Sequence, residues 1–323
     1  MRTCDLCSSA SFSNLPFYYE LEGSHLQGKK CKKCGLMFLD PQPTAEQIER
    51  MYSKEYFTDR ENYDREKKQQ QYMDLAREID FSKVSSNKYT DYLLKNFPGK
   101  AFRYLEVGCG PGFTLKMLRD NLNWQVQGLE ISGYSADYGR TQLGLPIVTG
   151  SIEAYNEFKE NEFDLLYMGD VIEHLTSPAT TIAKFKKILE PGGLLMLSLP
   201  ATMNLPAVRL GTAIYSALGR NRKMDIKPYH LFEFTPATIK ALLQKQGFDV
   251  LHLDNYVKQP SKIRLGGNKL EAAGKLLGQY PTYYLNKLTG SLGDRIFVVA
   301  RNNKPAAPVK TSASAAKATQ VAG

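Results

Sequence analysis

The segment Leu105-Glu106-Val107-Gly108-Cys109-Gly110-Pro111-Gly112 constrains this chain more than any other. Phe102, Tyr104, Leu105 and Val107 make a short apolar run that predicts a buried strand. Three glycines follow at alternate positions, as expected where the backbone takes positive φ or passes close to another group. Pro111 is expected in a first helical turn, where a missing N–H is harmless. Phe113, Leu115, Met117 and Leu118 then have helical spacing. A strand, a glycine turn and a helix at the carboxyl edge of a parallel sheet make a nucleotide or nucleoside site. The dinucleotide fingerprint G-x-G-x-x-G fails, because its third glycine, counted from Gly108, falls on Phe113.

Four further segments follow in order. Gln125–Ile131 predicts a second strand ending in the acid Glu130, placed to accept hydrogen bonds from ribose hydroxyls. Ile147–Glu153 predicts a short third strand and its exit through Ser151 and Ile152. Phe163–Leu175 predicts a fourth strand whose end carries Gly169, Asp170 and then Glu173-His174. Ile188–Gly193 predicts a turn before a fifth strand, Leu194–Leu199.

Together the E-x-G-x-G-x-G turn, the FDLLYMGDVIEH segment and the LEPGG turn resemble the ordered motifs of class I S-adenosylmethionine-dependent methyltransferases, over about residues 83–302. The resemblance implies an α/β fold, a Rossmann-like seven-stranded sheet with helices on both faces. It places Glu106 beside the methionine moiety, the glycines beneath the ligand, and Glu130 on the ribose. It also puts Ser151, where the family usually has Asp, beside the adenine. The implied cofactor contacts are Glu106, Gly108, Gly110, Gly112, Glu130, Ile131, Ser151, Ile152, Gly169 and Asp170. The same family places Phe248–Val257 and Arg295–Arg301 as a terminal antiparallel hairpin at the sheet edge.

Cysteine usage defines a second module. Cys4-x-x-Cys7 and Cys31-x-x-Cys34 pair as a tetrahedral Cys4 zinc site with no open position, which makes the metal structural. Lys29, Lys30, Lys32 and Lys33 are expected to offset the thiolate charge. Gly35 suits the turn after the second knuckle, Ser8 stands where glycine often follows the first, and His25 is an alternative ligand. The amino terminus lacks the apolar core of a signal peptide, so a cytoplasmic location with reduced thiols is expected. The segment through Thr44 resembles the zinc-ribbon leader of a methyltransferase group common in sugar, glycan and natural-product pathways.

The expected organisation is a zinc-ribbon-like segment (1–43), a helical linker and cap (44–82), the methyltransferase domain (83–302) and a disordered tail (303–323). Segment 44–82 reads as helices at Ala45–Tyr52 and Arg60–Ile79, and Tyr89–Phe97 marks an amphipathic helix before the first strand. Thr235-Pro236 caps a helix that Gly247 stops. Insertions near 201–234 and 258–293 both leave carboxyl ends of strands, so they rise over the cofactor side and roof the acceptor pocket. Leu205–Gly219 is apolar and is followed by Arg220, Arg222 and Lys223. A second apolar set, Leu270 to Leu288, is interleaved with lysines. Apolar faces beside basic residues suit a lipid-linked or phosphorylated acceptor or shallow peripheral membrane contact, and suit helices packed on the domain more simply still.

The expected activity is methyl transfer to a small-molecule, sugar or lipid-linked acceptor, with oxygen weakly favoured. His174 and His230 are the candidate general bases, since a neutral imidazole can take a proton near pH 7. The net charge of +9 favours anionic partners. Nucleic acid is disfavoured, because no basic run with interleaved aromatics is present. RNA or protein methylation is the alternative, although Gly169-Asp170-Val171-Ile172 stands where an amide-methylating N-P-P-[YF] motif would be. A non-catalytic, cofactor-binding regulator is the second alternative.

Overall fold

The protein is described here by a computed structural model covering residues 2–51, 74–84, 87–224, 230–257 and 281–305. Its amino-terminal strands β1 (Phe12–Leu21), β2 (Ser24–Cys31) and β3 (Met37–Asp40) form an antiparallel meander. The larger sheet contains β4 (Arg103–Val107), β5 (Gln125–Glu130), β6 (Ile147–Thr149), β7 (Phe163–Gly169), β8 (Leu189–Pro200), β11 (Phe248–Tyr256) and β12 (Arg295–Asn302). Their spatial order is β11-β12-β8-β7-β4-β5-β6. Pairing from β8 to β6 is parallel, and β12 runs antiparallel to both of its neighbours. Both faces of a parallel sheet are covered, so its strands read as nearly continuous apolar runs. Tyr104, Leu105, Leu165, Leu166, Leu195 and Leu197 are accordingly buried.

Three local readings are corrected by this structure. The helix after the glycine turn spans Phe113–Leu122 with Gly112 as its N-cap at φ +81°, so Pro111 belongs to the turn and not to the helix. The proline-glycine-glycine segment lies inside β8, where Gly192 takes φ +78° and the β7–β8 register shifts. The expected terminal antiparallel hairpin does stand at one edge of the sheet, with β11 outermost and β12 between it and β8. His25 stands apart from the thiols, hydrogen-bonding Gln27 and stacking on Tyr18, while Lys29 is paired with Asp40 at 2.6 Å. Ser8 does take the left-handed φ, +59°, that a knuckle glycine would supply. The helix reading at Arg60–Ile79 lies outside the described residues except at its end, where 74–78 are helical. Residues 270–280 and 306–323 also lie outside them.

The smaller sheet is completed by the first insertion. β9 (Arg222–Lys223) pairs parallel with β1, and β10 (Phe232–Glu233) pairs antiparallel with β3. The resulting order is β10-β3-β2-β1-β9. Unpaired strand edges invite unwanted association, and here short strands from the larger domain flank both edges. Asp5, between the first two cysteines, accepts hydrogen bonds from the Ala179 N–H at 2.8 Å and the Ser177 hydroxyl at 3.3 Å. It therefore caps the helix Pro178–Ile188, which has no cap from its own Ser177 side chain. The Lys245 ammonium donates to the Leu6 carbonyl at 2.7 Å.

Candidate active site

β4 ends at Val107, and the chain turns through Gly108 and Gly110 at φ +74° and +55°. A Cβ at Gly108 would overlap a methyl of Val171, whereas one at Gly110 would meet nothing within 4 Å. The Gly110 N–H donates to Glu130 Oε2 at 2.8 Å, and the Ser132 N–H donates to Glu130 Oε1 at 2.8 Å. The turn after one strand thus closes on the acid that ends the next. Burial raises the Glu130 carboxyl above its usual range, opposed by those N–H groups.

A cleft of about 200 Å³ opens at this carboxyl edge. Gly108, Glu130, Ile131, Ser151, Ile152, Gly169, Asp170 and His174 of the expected site line it. Glu106, Gly110, Gly112 and His230 do not form its wall. Gly112 faces Leu145 and Ile147, where any side chain would collide with them. Glu106 is buried beside the Tyr104 hydroxyl, which lies 3.3 Å from Oε2. Burial, with Glu130 nearby, pushes its carboxyl up to about 8 against that hydrogen bond. The rings of Tyr89 and Tyr167 stack at 4.2 Å.

Several residues at the site gave no sequence signal. Ile48, from the helix Ala45–Met51, reaches the cleft wall. Glu153 lines it and accepts hydrogen bonds from the Thr176 N–H and hydroxyl and the Ser177 N–H, fixing the loop after β7. Arg295, on β12, binds Asp170 at 2.7 Å and Ser198 Oγ at 3.1 Å. Asp170 takes φ +55°, a strained conformation for a residue with a side chain. Ion pairing across strands distant in sequence explains why only the structure shows the Asp170–Arg295 contact.

The histidines meet at one corner. The His174 and His230 rings approach edge to face at 5.1 Å. His174 Nε2 lies 3.7 Å from Glu173 Oε1, and His230 Nδ1 lies 3.0 Å from Glu233 Oε1. Glu173 is 2% exposed and its Oε2 has no hydrogen-bond partner. Burial pushes that carboxyl up to about 8. Burial alone would lower the His230 pKa, but the Glu233 hydrogen bond and charge raise it on balance. The Leu231 N–H donates to the Glu173 carbonyl at 2.8 Å, and its own carbonyl accepts from the Leu39 N–H at 3.0 Å. One residue of the insertion therefore links the loop after β7 to the amino-terminal sheet.

The four amino-terminal thiols converge in a second constellation. Sγ–Sγ distances are 3.5 Å for Cys4–Cys34 and for Cys7–Cys31, and all four sulfurs lie within 4.8 Å of one another. A tetrahedron with Zn–S bonds of about 2.3 Å has S–S edges of about 3.8 Å, so the sulfurs are close to the size of a zinc site. Burial and neighbouring thiols push Cys34 up, while at Cys31 desolvation is opposed by the backbone N–H groups of Cys34 and Lys33 and by the Cys7 and Cys34 thiols, which together bring it down to about 7. Cys109, in the glycine turn, is buried away from this cluster.

A profile of the methyltransferase domain family matches residues 64–253. Among curated relatives, ubiquinone biosynthesis O-methyltransferase of Vibrio cholerae serotype O1 is 25% identical over 181 residues, covering 51% of this chain and 69% of the relative. Malonyl-(acyl-carrier protein) O-methyltransferase of Enterobacter lignolyticus is 31% identical over 121 residues, covering 37% of this chain and 47% of the relative. A crystal structure of an S-adenosylmethionine dependent methyltransferase from Mesorhizobium loti superposes with a TM-score of 0.45 at 18% identity, covering 65% of this chain and 96% of that one.

Proposed function

This chain belongs to the methyltransferase domain family and is a class I S-adenosylmethionine-dependent methyltransferase, and we propose that it methylates an oxygen of a small-molecule acceptor. The observation that carries the cofactor side of this reading is the closure of the glycine turn on Glu130 in the cleft wall. The fit to the cofactor is local. Each Glu130 oxygen accepts one backbone hydrogen bond, and a carboxylate has about four acceptor positions, so two remain for a ribose diol. Gly110 leaves the space beside it open. In this reading Gly108 and Gly110 let the cofactor pass close to the backbone, and Ile131, Ser151 and Ile152 bound the adenine end. Glu106, Gly169 and Asp170 mark the methionine end.

When bound, S-adenosylmethionine supplies a methyl group on a sulfonium, which is already electrophilic. The protein's part is alignment of the acceptor for in-line attack and removal of its proton. In this reading His174, on the cleft wall, takes that proton. His230 stands behind it, held by Glu233. The curated relatives named as O-methyltransferases support oxygen as the acceptor atom. A lipid-linked acceptor is the finer form of this reading, supported by the apolar and basic composition of the two insertions.

The four amino-terminal cysteines are assigned to a structural zinc ion in a cytosolic, reducing setting. With all four positions taken by thiolates, the site has no vacancy for catalysis.

The purified protein is to be incubated with methyl-labelled S-adenosylmethionine and a fractionated host extract. Label in organic-soluble or small-molecule fractions supports the reading. Label in acid-precipitable RNA or protein overturns it. Tight cofactor binding with no label in any fraction supports a binding-only regulator instead.

A further inference from the structure

We propose that the two insertions, which leave the carboxyl ends of β8 and β11, form a docking face for an anionic lipid surface. The inference goes beyond the transfer reaction and does not depend on which atom is methylated. The first insertion carries the helix Pro206–Ala217, and the second ends in a helix over residues 281–289. One residue, Asn255 near the end of β11, fixes both. Its Oδ1 accepts from Asn204 Nδ2 at 3.0 Å, and its carbonyl accepts from Asn286 Nδ2 at 2.8 Å. All three asparagines are buried, so the two helices rise from a common, ordered base.

What they present outward is apolar. Leu210, Ile214 and Leu218 recur every four residues and are 63%, 49% and 61% exposed. Leu288 is 84% exposed, with Tyr284 and Leu285 beside it. Seven of the ten large apolar side chains exposed among the described residues fall in 210–218 and 284–288. Single exposed leucines need no explanation, but concentration of this kind marks an interaction surface.

Charge selects the partner. Neither 201–224 nor 281–293 contains an acidic residue, while Arg209, Arg220, Arg222 and Lys287 lie within them, together with Lys223, which is ion-paired with Glu20. Arg220 and Arg222 are exposed directly after the first stripe, and Lys287 sits within the second. Apolar stripes bordered by cations match a membrane interface, where side chains enter the acyl boundary while basic groups meet acidic headgroups. No helix of the described residues is long and apolar enough to cross a bilayer.

The test is flotation of the full chain with vesicles of phosphatidylcholine alone and with about one quarter phosphatidylglycerol. The expected result is co-flotation with the acidic vesicles, release by high salt, and little binding to the neutral ones. Leu210→Glu combined with Leu288→Glu should lower binding about tenfold or more. Both side chains are exposed, so the melting temperature and the affinity for S-adenosylhomocysteine should stay unchanged. Arg220→Glu with Arg222→Glu should also release the protein. Failure of the wild-type chain to float with either vesicle overturns the proposal, and equal binding to neutral vesicles overturns the choice of an anionic surface. A concentration-dependent dimer abolished by Leu210→Glu and Leu288→Glu, without flotation, assigns the face to a second copy and overturns it too. Cofactor affinity is read independently, so loss of docking and failure of the methyltransferase reading are told apart.

Discussion

Gly110 donates its backbone N–H to Glu130 Oε2 at 2.8 Å, joining the turn after β4 to the acid at the end of β5. That bond orients the carboxylate while leaving acceptor capacity free. Replacing Glu130 with Ala should weaken S-adenosylhomocysteine binding roughly 30- to 150-fold, the equivalent of about 2 to 3 kcal/mol from charged hydrogen bonds. Glu130→Gln should lose much of this, because its amide N–H₂ opposes one of the two backbone donors. Isothermal titration calorimetry reads both. An unchanged dissociation constant for Glu130→Ala removes the residue from the cofactor site.

Gly108 makes a second, separable demand. Its left-handed backbone costs a side chain about 1 to 2 kcal/mol, and its missing Cβ makes room for Val171. Gly108→Ala should lower the melting temperature and cofactor affinity together. Adding Val171→Ala should recover the steric share but not the backbone share. Full recovery in the double variant would show that φ carries no cost here.

The strand, the glycine turn and the acid it closes on were legible because they are contiguous signals. Gly108 and Glu130 follow from the strand, turn and acid pattern, whereas Glu106 and Asp170 are implied by the resemblance to the family. What could not be read is what depends on pairing across the fold. Arg295 meets Asp170 from a strand 125 positions further on, as the numbering of the two residues shows. Asp5 caps a helix that begins at Pro178. The same limit hid the sharing of a sheet between the cysteine module and the first insertion. β9 and β10 have two residues each, too short for any alternation of apolar and polar positions to show.

Two buried carboxyls give the stability a pH slope. Glu106 and Glu173 titrate near 8 in the folded chain and near 4.5 when unfolded. Between those values the native state holds more protons than the unfolded state, so ν_U − ν_N is negative and stability falls as pH rises. The slope approaches about 1.4 kcal/mol per pH unit for each group. The apo protein should therefore melt at higher temperature near pH 5 than near pH 8. Glu106→Gln with Glu173→Gln should flatten the dependence. A double variant with the wild-type slope would show that neither carboxyl is held neutral.

Loss of the amino-terminal metal should be felt throughout the chain. The purified protein is expected to carry one zinc ion, measurable by inductively coupled plasma mass spectrometry. Stripping it with a chelator, or Cys31→Ser, frees Cys4 and Cys7 and with them Asp5 and Leu6. The helix Pro178–Ile188 then loses its cap, worth about 1 kcal/mol, and β9 and β10 lose the meander that orders them. The expected result is a lower melting temperature with increased exchange of amides in both 1–43 and 222–234. Asp5→Ala should reproduce only the first part. Metal loss that leaves exchange in 222–234 unchanged would uncouple the ribbon from the insertion.

The histidine corner sets how activity follows pH. A base must be neutral to act, so turnover should rise as pH passes upward through its pKa. His174→Gln, on the cleft wall, should lower kcat by about 100-fold if it takes the acceptor proton. His230→Gln should cost less, since that ring contacts His174 from behind. The Glu233 hydrogen bond and charge raise the His230 pKa, so Glu233→Gln should move any His230-dependent acid limb to lower pH. That displacement separates a positioning role from a merely structural one, because a loosened fold would lower kcat at every pH without moving the limb. Unchanged turnover in His174→Gln and in His230→Gln would remove both rings from proton transfer and leave alignment of the acceptor as the protein's whole contribution.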